Sequence, residues 1–161
     1  MKTLVLVRHA KSDWGDPGLA DHDRPLNDRG RRDAPAMAER LGRLGTVPGL
    51  IVSSTALRAR TTAEAMAEGL GLDPSALRLD ERLYGAGPAT ILEIAGQTPD
   101  DVDTVMLVAH DPGMTDLAYR LSDGTVDRMP TCAVVRVRIA AESWRDLENA
   151  VIVDVHRETP R

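Results

Sequence analysis

The chain has 161 residues, 42% of them hydrophobic and 28% charged, with 25 acidic against 20 basic side chains for a formal net charge of -5. That balance argues against nonspecific binding of nucleic acid or anionic membranes, and the length suffices to bury about 70% of the unfolded surface without help from disulfides. Cys132 is the only cysteine, which rules out an internal disulfide or a cysteine zinc cluster and favours a reducing, cytoplasmic setting. With no Phe, two Trp and two Tyr, the core must come from Leu, Val, Ile, Ala and Met, and aromatic platforms for single-stranded nucleic acid are poorly supplied.

Apolar, β-branched runs alternate with longer segments of helical period, the pattern of an α/β domain with a mostly parallel sheet. Thr3 to Arg8 reads as the first strand; its apolar part, Leu4 to Val7, is too short for a signal-peptide core or a membrane span. Asn27 is placed to cap a helix running to about Leu44, with Ala34, Met37, Ala38, Leu41 and Leu44 on one face, Pro35 inside it and Gly45 as its stop. Gly49 to Ser53 reads as a second strand, and Ser54 or Thr55 as the cap of a helix through Leu70 that ends at Gly71. A short extended stretch at Leu77 to Leu79 precedes a helix from Pro88 to Ala95. Thr104 to Ala109 is the most apolar strand, and Pro112 suits the first turn of a helix through Leu121. Ala133 to Ile139 and Ala150 to His156 read as two strands joined through Ser143 to Asp146 as a hairpin or sheet edge. No repeat, low-complexity tract or long linker interrupts the chain, so a single domain over residues 1–161 is expected.

Two of the four histidines occupy equivalent places, His9 after Leu4-Val5-Leu6-Val7-Arg8 and His110 after Val105-Met106-Leu107-Val108-Ala109. Both stand at the carboxyl end of a buried strand, where open α/β sheets bind ligands. The second strand runs into a helix with Arg58 in its first turn, beside unpaired backbone N–H groups. Arg8 and Arg58 are then two planar, permanently charged forks near one sheet edge, suited to gripping phosphate oxygens in pairs. Either arginine alone is as easily a structural partner of a nearby Asp. Together with two histidines they point to phosphoryl chemistry, which needs positioning and charge neutralisation more than elaborate covalent machinery.

Three motifs carry a family resemblance. Val7-Arg8-His9-Ala10, Ser53-Ser54-Thr55-Ala56-Leu57-Arg58-Ala59-Arg60-Thr61-Thr62-Ala63 and Ala109-His110-Asp111-Pro112-Gly113 resemble, in order and spacing, the signatures of the histidine phosphatase superfamily, the phosphoglycerate-mutase-like phosphatases. Ala10 stands where that family usually has Gly, and Asp111 where it usually has Asn, which adds a negative charge beside the pocket. Arg8 to Ser12, Asp23 to Gly30 and Glu81 to Tyr84, with the short chain, resemble the SixA-type phosphohistidine phosphatases, which lack the inserted cap of the mutases. The resemblance implies a three-layer sandwich around a mostly parallel sheet and a cofactor-independent, metal-free phosphatase. It makes His9 the nucleophile that becomes phosphorylated and gives Arg8, Arg58 and His110 the phosphoryl group to hold. Ser12 is a further substrate-binding candidate, and Glu81 matches the approximate position of a general acid.

The expected substrate is phosphohistidine on a protein, whose imidazole leaves more readily than an alkoxide. A small-molecule phosphomonoesterase or a mutase-like enzyme is the alternative, disfavoured because no segment looks long enough for a lid. A metal-dependent hydrolase built on His9, His110, Asp13, Asp16 and Asp111 ranks lower, because the adjacent arginine repels a cation. A noncatalytic phosphate-binding module ranks lower too, given the intact His9. Bland readings suit His22 as a solvated loop residue, His156 as an edge residue, Cys132 as packed and Asp28 to Asp33 as a mixed helix surface. Oligomeric state leaves no sequence signature.

Overall fold

The computed structural model describes residues 1–161. Strands β1 (Lys2–Arg8), β2 (Leu50–Ser53), β3 (Leu77–Leu79), β4 (Thr104–Ala109), β5 (Val134–Ala140) and β6 (Val151–Glu158) form one six-stranded sheet in the order β3-β2-β4-β1-β5-β6. The first four run parallel; β5 pairs antiparallel with β1, and β6 antiparallel with β5. Helices α1 (Asp28–Arg43), α2 (Leu57–Gly69), α3 (Pro88–Gly96) and α4 (Gly113–Leu121) occur where the sequence places helical periodicity.

The layering follows from strand alternation. Leu4, Leu6, Val105 and Leu107 face one core with Ile91 and Ile94 of α3, Met114 and Leu117 of α4, and Trp144. Val5, Val7, Met106 and Val108 face the other, with Ala34, Met37, Ala38 and Leu41 of α1 and Ala59, Ala63 and Met66 of α2. Because β1 and β4 are covered on both faces, their sequences are apolar throughout rather than alternating. The result is the three-layer α/β sandwich expected from the sequence.

Local differences have local causes. Asn27 caps α1, its side chain accepting the Gly30 N–H at 2.9 Å, and the helix continues through Pro35. Leu44, however, lies past the last full turn and is 50% exposed, so the apolar face ends at Leu41. The residue preceding α2 is Ala56, not Ser54 or Thr55: Ser54 accepts the Ala56 N–H at 3.2 Å, which closes a turn one step earlier than a helix cap. Pro112 is the residue before α4 rather than its first helical residue. The link from β5 to β6 is a helical turn (Trp144–Asn149) that buries Trp144, whose indole N–H donates to the Val102 carbonyl. This hairpin lies at the sheet edge, away from the strand ends that converge on the site.

Candidate active site

The parallel register sets the site. Arg8 pairs with Ala109, and the His9 N–H donates to the Ala109 carbonyl at 3.1 Å, so the next residues, His9 and His110, fall side by side. Their ring centroids are 5.1 Å apart, with a tilt of 56°. On the other side of β4, the Ser54 N–H donates to the Val108 carbonyl at 2.9 Å and delivers the chain into α2. One turn beyond Arg58, the Thr62 hydroxyl accepts the Ala10 N–H at 3.0 Å and donates to the Arg58 carbonyl at 2.7 Å. That bridge ties the turn after β1 to the helix carrying Arg58. Ala10 is fully buried, its methyl packed in the α1/α2 core.

The two rings are held through opposite nitrogens. His9 Nδ1 lies 2.7 Å from the Ala10 carbonyl, which can only accept, so Nδ1 carries the proton. Burial, reinforced by His110, Arg58 and Arg8, pushes the His9 pKa down to about 3, although the Ala10 hydrogen bond opposes this. The ring is therefore neutral at pH 7, with its lone pair on Nε2. His110 Nε2 lies 2.8 Å from the Ser54 hydroxyl, and burial followed by Arg58 pushes its pKa down to about 4. Ser54 Oγ accepts the Ala56 N–H and keeps its own proton to give; when that proton is donated to His110 Nε2, the ring proton stands on Nδ1. His110 Nδ1 is buried and has no partner.

The arginines differ in the same way. Arg58 donates to the Asp21 carbonyl at 2.7 Å and to its carboxylate at 3.0 Å. Asp21 also accepts from Tyr84 at 2.6 Å and from Arg24 at 3.1 Å. Its carboxyl is held well below the usual range, first by the Tyr84 hydroxyl and then by Arg58 and Arg24; the same bond raises the Tyr84 pKa. Arg8 donates to the Met129 carbonyl at 2.9 Å and lies 3.5 Å from Asp111. Each guanidinium keeps a buried, unpartnered Nε. Three donors without acceptors, on Arg8, Arg58 and His110, are the complement of an oxyanion, since an unmet buried donor is costly.

The structure thus brings Arg8, His9, Arg58 and His110 together. Ser12 is buried nearby, where its hydroxyl accepts from Arg24 at 2.9 Å. Glu81 lies in the helical turn after β3 (Glu81–Leu83) with an exposed side chain that makes no ion pair; it is its neighbour Tyr84 whose ring stands edge-on to His110, 5.5 Å away. Asp13 and Asp16 accept from Gly15 and Gly18 in their own loop, and no three His, Cys, Asp or Glu side chains form a cluster that could hold a metal ion. His22 departs from its expected solvated state: it is half-buried, bonded to the Thr55 hydroxyl at 2.8 Å and edge-on to Tyr84 at 4.9 Å. Asp21, Arg24 and Tyr84 were not singled out from the sequence, although all three lie in or beside the stretches that carry the resemblance. His156 is exposed on β6, and burial pushes the Cys132 thiol up to about 12.

The class defined by the fold is an α/β sandwich whose mostly parallel sheet gathers two histidines and two arginines at one edge. Residues 4–113 match the family model for the histidine phosphatase superfamily (branch 1), and the chain belongs to that superfamily. An uncharacterised protein of Mycobacterium tuberculosis is 36% identical over 96% of this chain and 100% of its own. Among solved structures, a candidate phosphohistidine phosphatase SixA from Agrobacterium tumefaciens is similar at 30% identity and a TM-score of 0.76, covering 96% of this chain and 97% of that one. Its counterpart from Nakamurella multipartitia is also 30% identical, with a TM-score of 0.78, covering 96% and 95%.

Proposed function

We propose that this protein is a cytoplasmic, cofactor-independent phosphatase that works through a covalent phosphohistidine on His9 and acts on phosphohistidine in a protein. The observation that carries this reading is the state of His9: neutral, fixed through Nδ1 to the Ala10 carbonyl, with Nε2 free beside two arginines. The Nε2 lone pair forms a P–N bond as the bond from phosphorus to the substrate nitrogen breaks. The electron pair leaves with that nitrogen, which takes a proton from solvent. Arg8, Arg58 and the Nδ1–H of His110 neutralise the equatorial oxygens in flight. Water then attacks phosphorus, the P–Nε2 bond breaks, and inorganic phosphate departs as the water's proton passes to solvent.

The acids around the site favour a nitrogen leaving group. Asp21 is held ionised and has no proton to give, and the Tyr84 proton is committed to the Asp21 carboxylate, so neither is set to protonate a departing alkoxide. Glu81, the acid the resemblance offers, stands exposed, and its role is confined in this reading to ester substrates. The 30%-identical solved structures named as candidate SixA phosphohistidine phosphatases support the same substrate class over a phosphomonoester or a mutase substrate.

The decisive experiment is a brief exposure to a labelled phosphohistidine peptide followed by alkaline quench and digestion. Acid-labile label on the peptide containing His9, absent in His9→Ala, is the expected result. Full turnover by His9→Ala defeats the reading. A Glu81→Gln variant that loses ester hydrolysis, in an enzyme faster on esters than on phosphohistidine, moves the assignment to a phosphomonoesterase.

A further inference from the structure

The two arginines are not equally free to take an anion, and the difference lies in Asp111. Arg58 already shares its fork with Asp21, whose side chain is 49% exposed on a loop. Arg8 makes one hydrogen bond, to the Met129 carbonyl, and would be the stronger grip on a phosphoryl group if nothing else faced it. Asp111 faces it: its Oδ2 lies 3.5 Å from Arg8 Nη1, too far for a good hydrogen bond but close enough for a strong charge interaction. Both side chains are about three-quarters sheltered, at 27% and 25% exposure, so solvent screens the pair only in part.

Asp111 is also fixed. Its carboxylate accepts the Thr115 N–H at 3.0 Å and the Thr115 hydroxyl at 2.8 Å, at the start of α4. It cannot swing aside for an arriving anion without giving up both bonds. Asp111 and Arg8 together line one end of an open groove of about 710 Å³ that continues past Lys11, Arg29 and Arg128. The carboxylate therefore stands in the groove beside the guanidinium of Arg8.

Resting on the phosphatase reading above, we propose that Asp111 is a fixed counter-charge that weakens the hold of Arg8 on inorganic phosphate and so promotes product release. A phosphate dianion on Arg8 shares the guanidinium with Asp111 and is repelled by it. The loose transition state, with its charge spread over more atoms, is penalised less.

The test is calorimetric titration of the full chain with inorganic phosphate. Asp111→Asn keeps an oxygen for the Thr115 N–H but loses the charge, and it should bind phosphate roughly three- to tenfold more tightly at low ionic strength, with a gap that narrows in high salt. Asp111→Ser supplies a second neutral residue able to cap α4, with the same expected direction. Thr115→Ala, which keeps the charge but frees the carboxylate to move, should give a smaller gain. Unchanged or weaker phosphate binding in both Asp111 variants overturns the proposal while leaving the phosphatase intact. Wild-type binding that is absent, or indifferent to Arg8→Ala, overturns the phosphate site itself.

Discussion

His9 and His110 are matched by the fold and separated by what holds them. Each follows a buried parallel strand, each is almost fully covered, and each is pushed towards the neutral form mainly by that burial. Yet a carbonyl fixes Nδ1 of the first and a hydroxyl contacts Nε2 of the second. The partner decides the function: a carbonyl forces its ring nitrogen to donate and leaves a nucleophile at the other nitrogen, whereas the Ser54 hydroxyl can supply a proton and leave a donor there. A duplicated strand end thereby yields an attacking group and a stabilising group.

The comparison breaks most sharply at His9. His9→Ala should lower turnover by at least about a thousandfold and abolish the trapped phosphoenzyme, because the other neutral imidazole, His110, has its Nε2 engaged by the Ser54 hydroxyl. His110→Ala should cost less, about a hundredfold in kcat, as expected for one lost oxyanion donor, and the phosphoenzyme should still form slowly. Rapid-quench measurement of phosphoenzyme formation separates the two. Equal losses of phosphoenzyme in both variants would erase the distinction. Ser54→Ala sharpens it further: freeing the His110 ring should lower kcat by about fivefold, corresponding to about 1 kcal/mol for one hydrogen bond, without moving the label from His9.

Much of this was legible because the signals were local. β4 was bounded to the residue, the strand-end positions of Arg8, His9 and His110 followed from apolar runs ending in polar side chains, and that of Arg58 from the passage of β2 into a helix. The register of β1 against β4 was not legible, since pairing depends on tertiary assembly, and it is the register that puts the imidazoles in contact. Asp21, Arg24 and Tyr84 were missed for a related reason. Asp21 and Tyr84 are 63 positions apart and meet only because the loop before α1 and the turn after β3 fold over the same strand ends. His22 was misjudged because the acidic neighbours that suggested a solvated loop lie beside it in sequence, while Thr55 and Tyr84 lie beside it in space. The exposed Leu44 and the shifted start of α2 reflect end effects that periodicity does not resolve.

The smallest effect tests whether the two rings really share their environment. An unfolded histidine titrates near 6.5, whereas folded His9 and His110 do so only at about 3 and about 4. Between those limits the unfolded chain binds more protons than the folded one, so stability must fall as pH drops from 6.5 toward 4. Each neutral histidine contributes a slope of up to about 1.4 kcal/mol per pH unit, fully developed below the unfolded pKa. Replacing either ring by Gln should remove its own share of the slope, measured by urea unfolding at pH 5 and pH 7. Between pH 5 and pH 7 neither folded ring carries a proton, so no like charge arises between them and the double variant should lose the sum of the two single losses. A double variant that loses less than that sum would mean that removing one ring raises the pKa of the other into the measured window, so that the two are neutralised jointly and not each by its own cover.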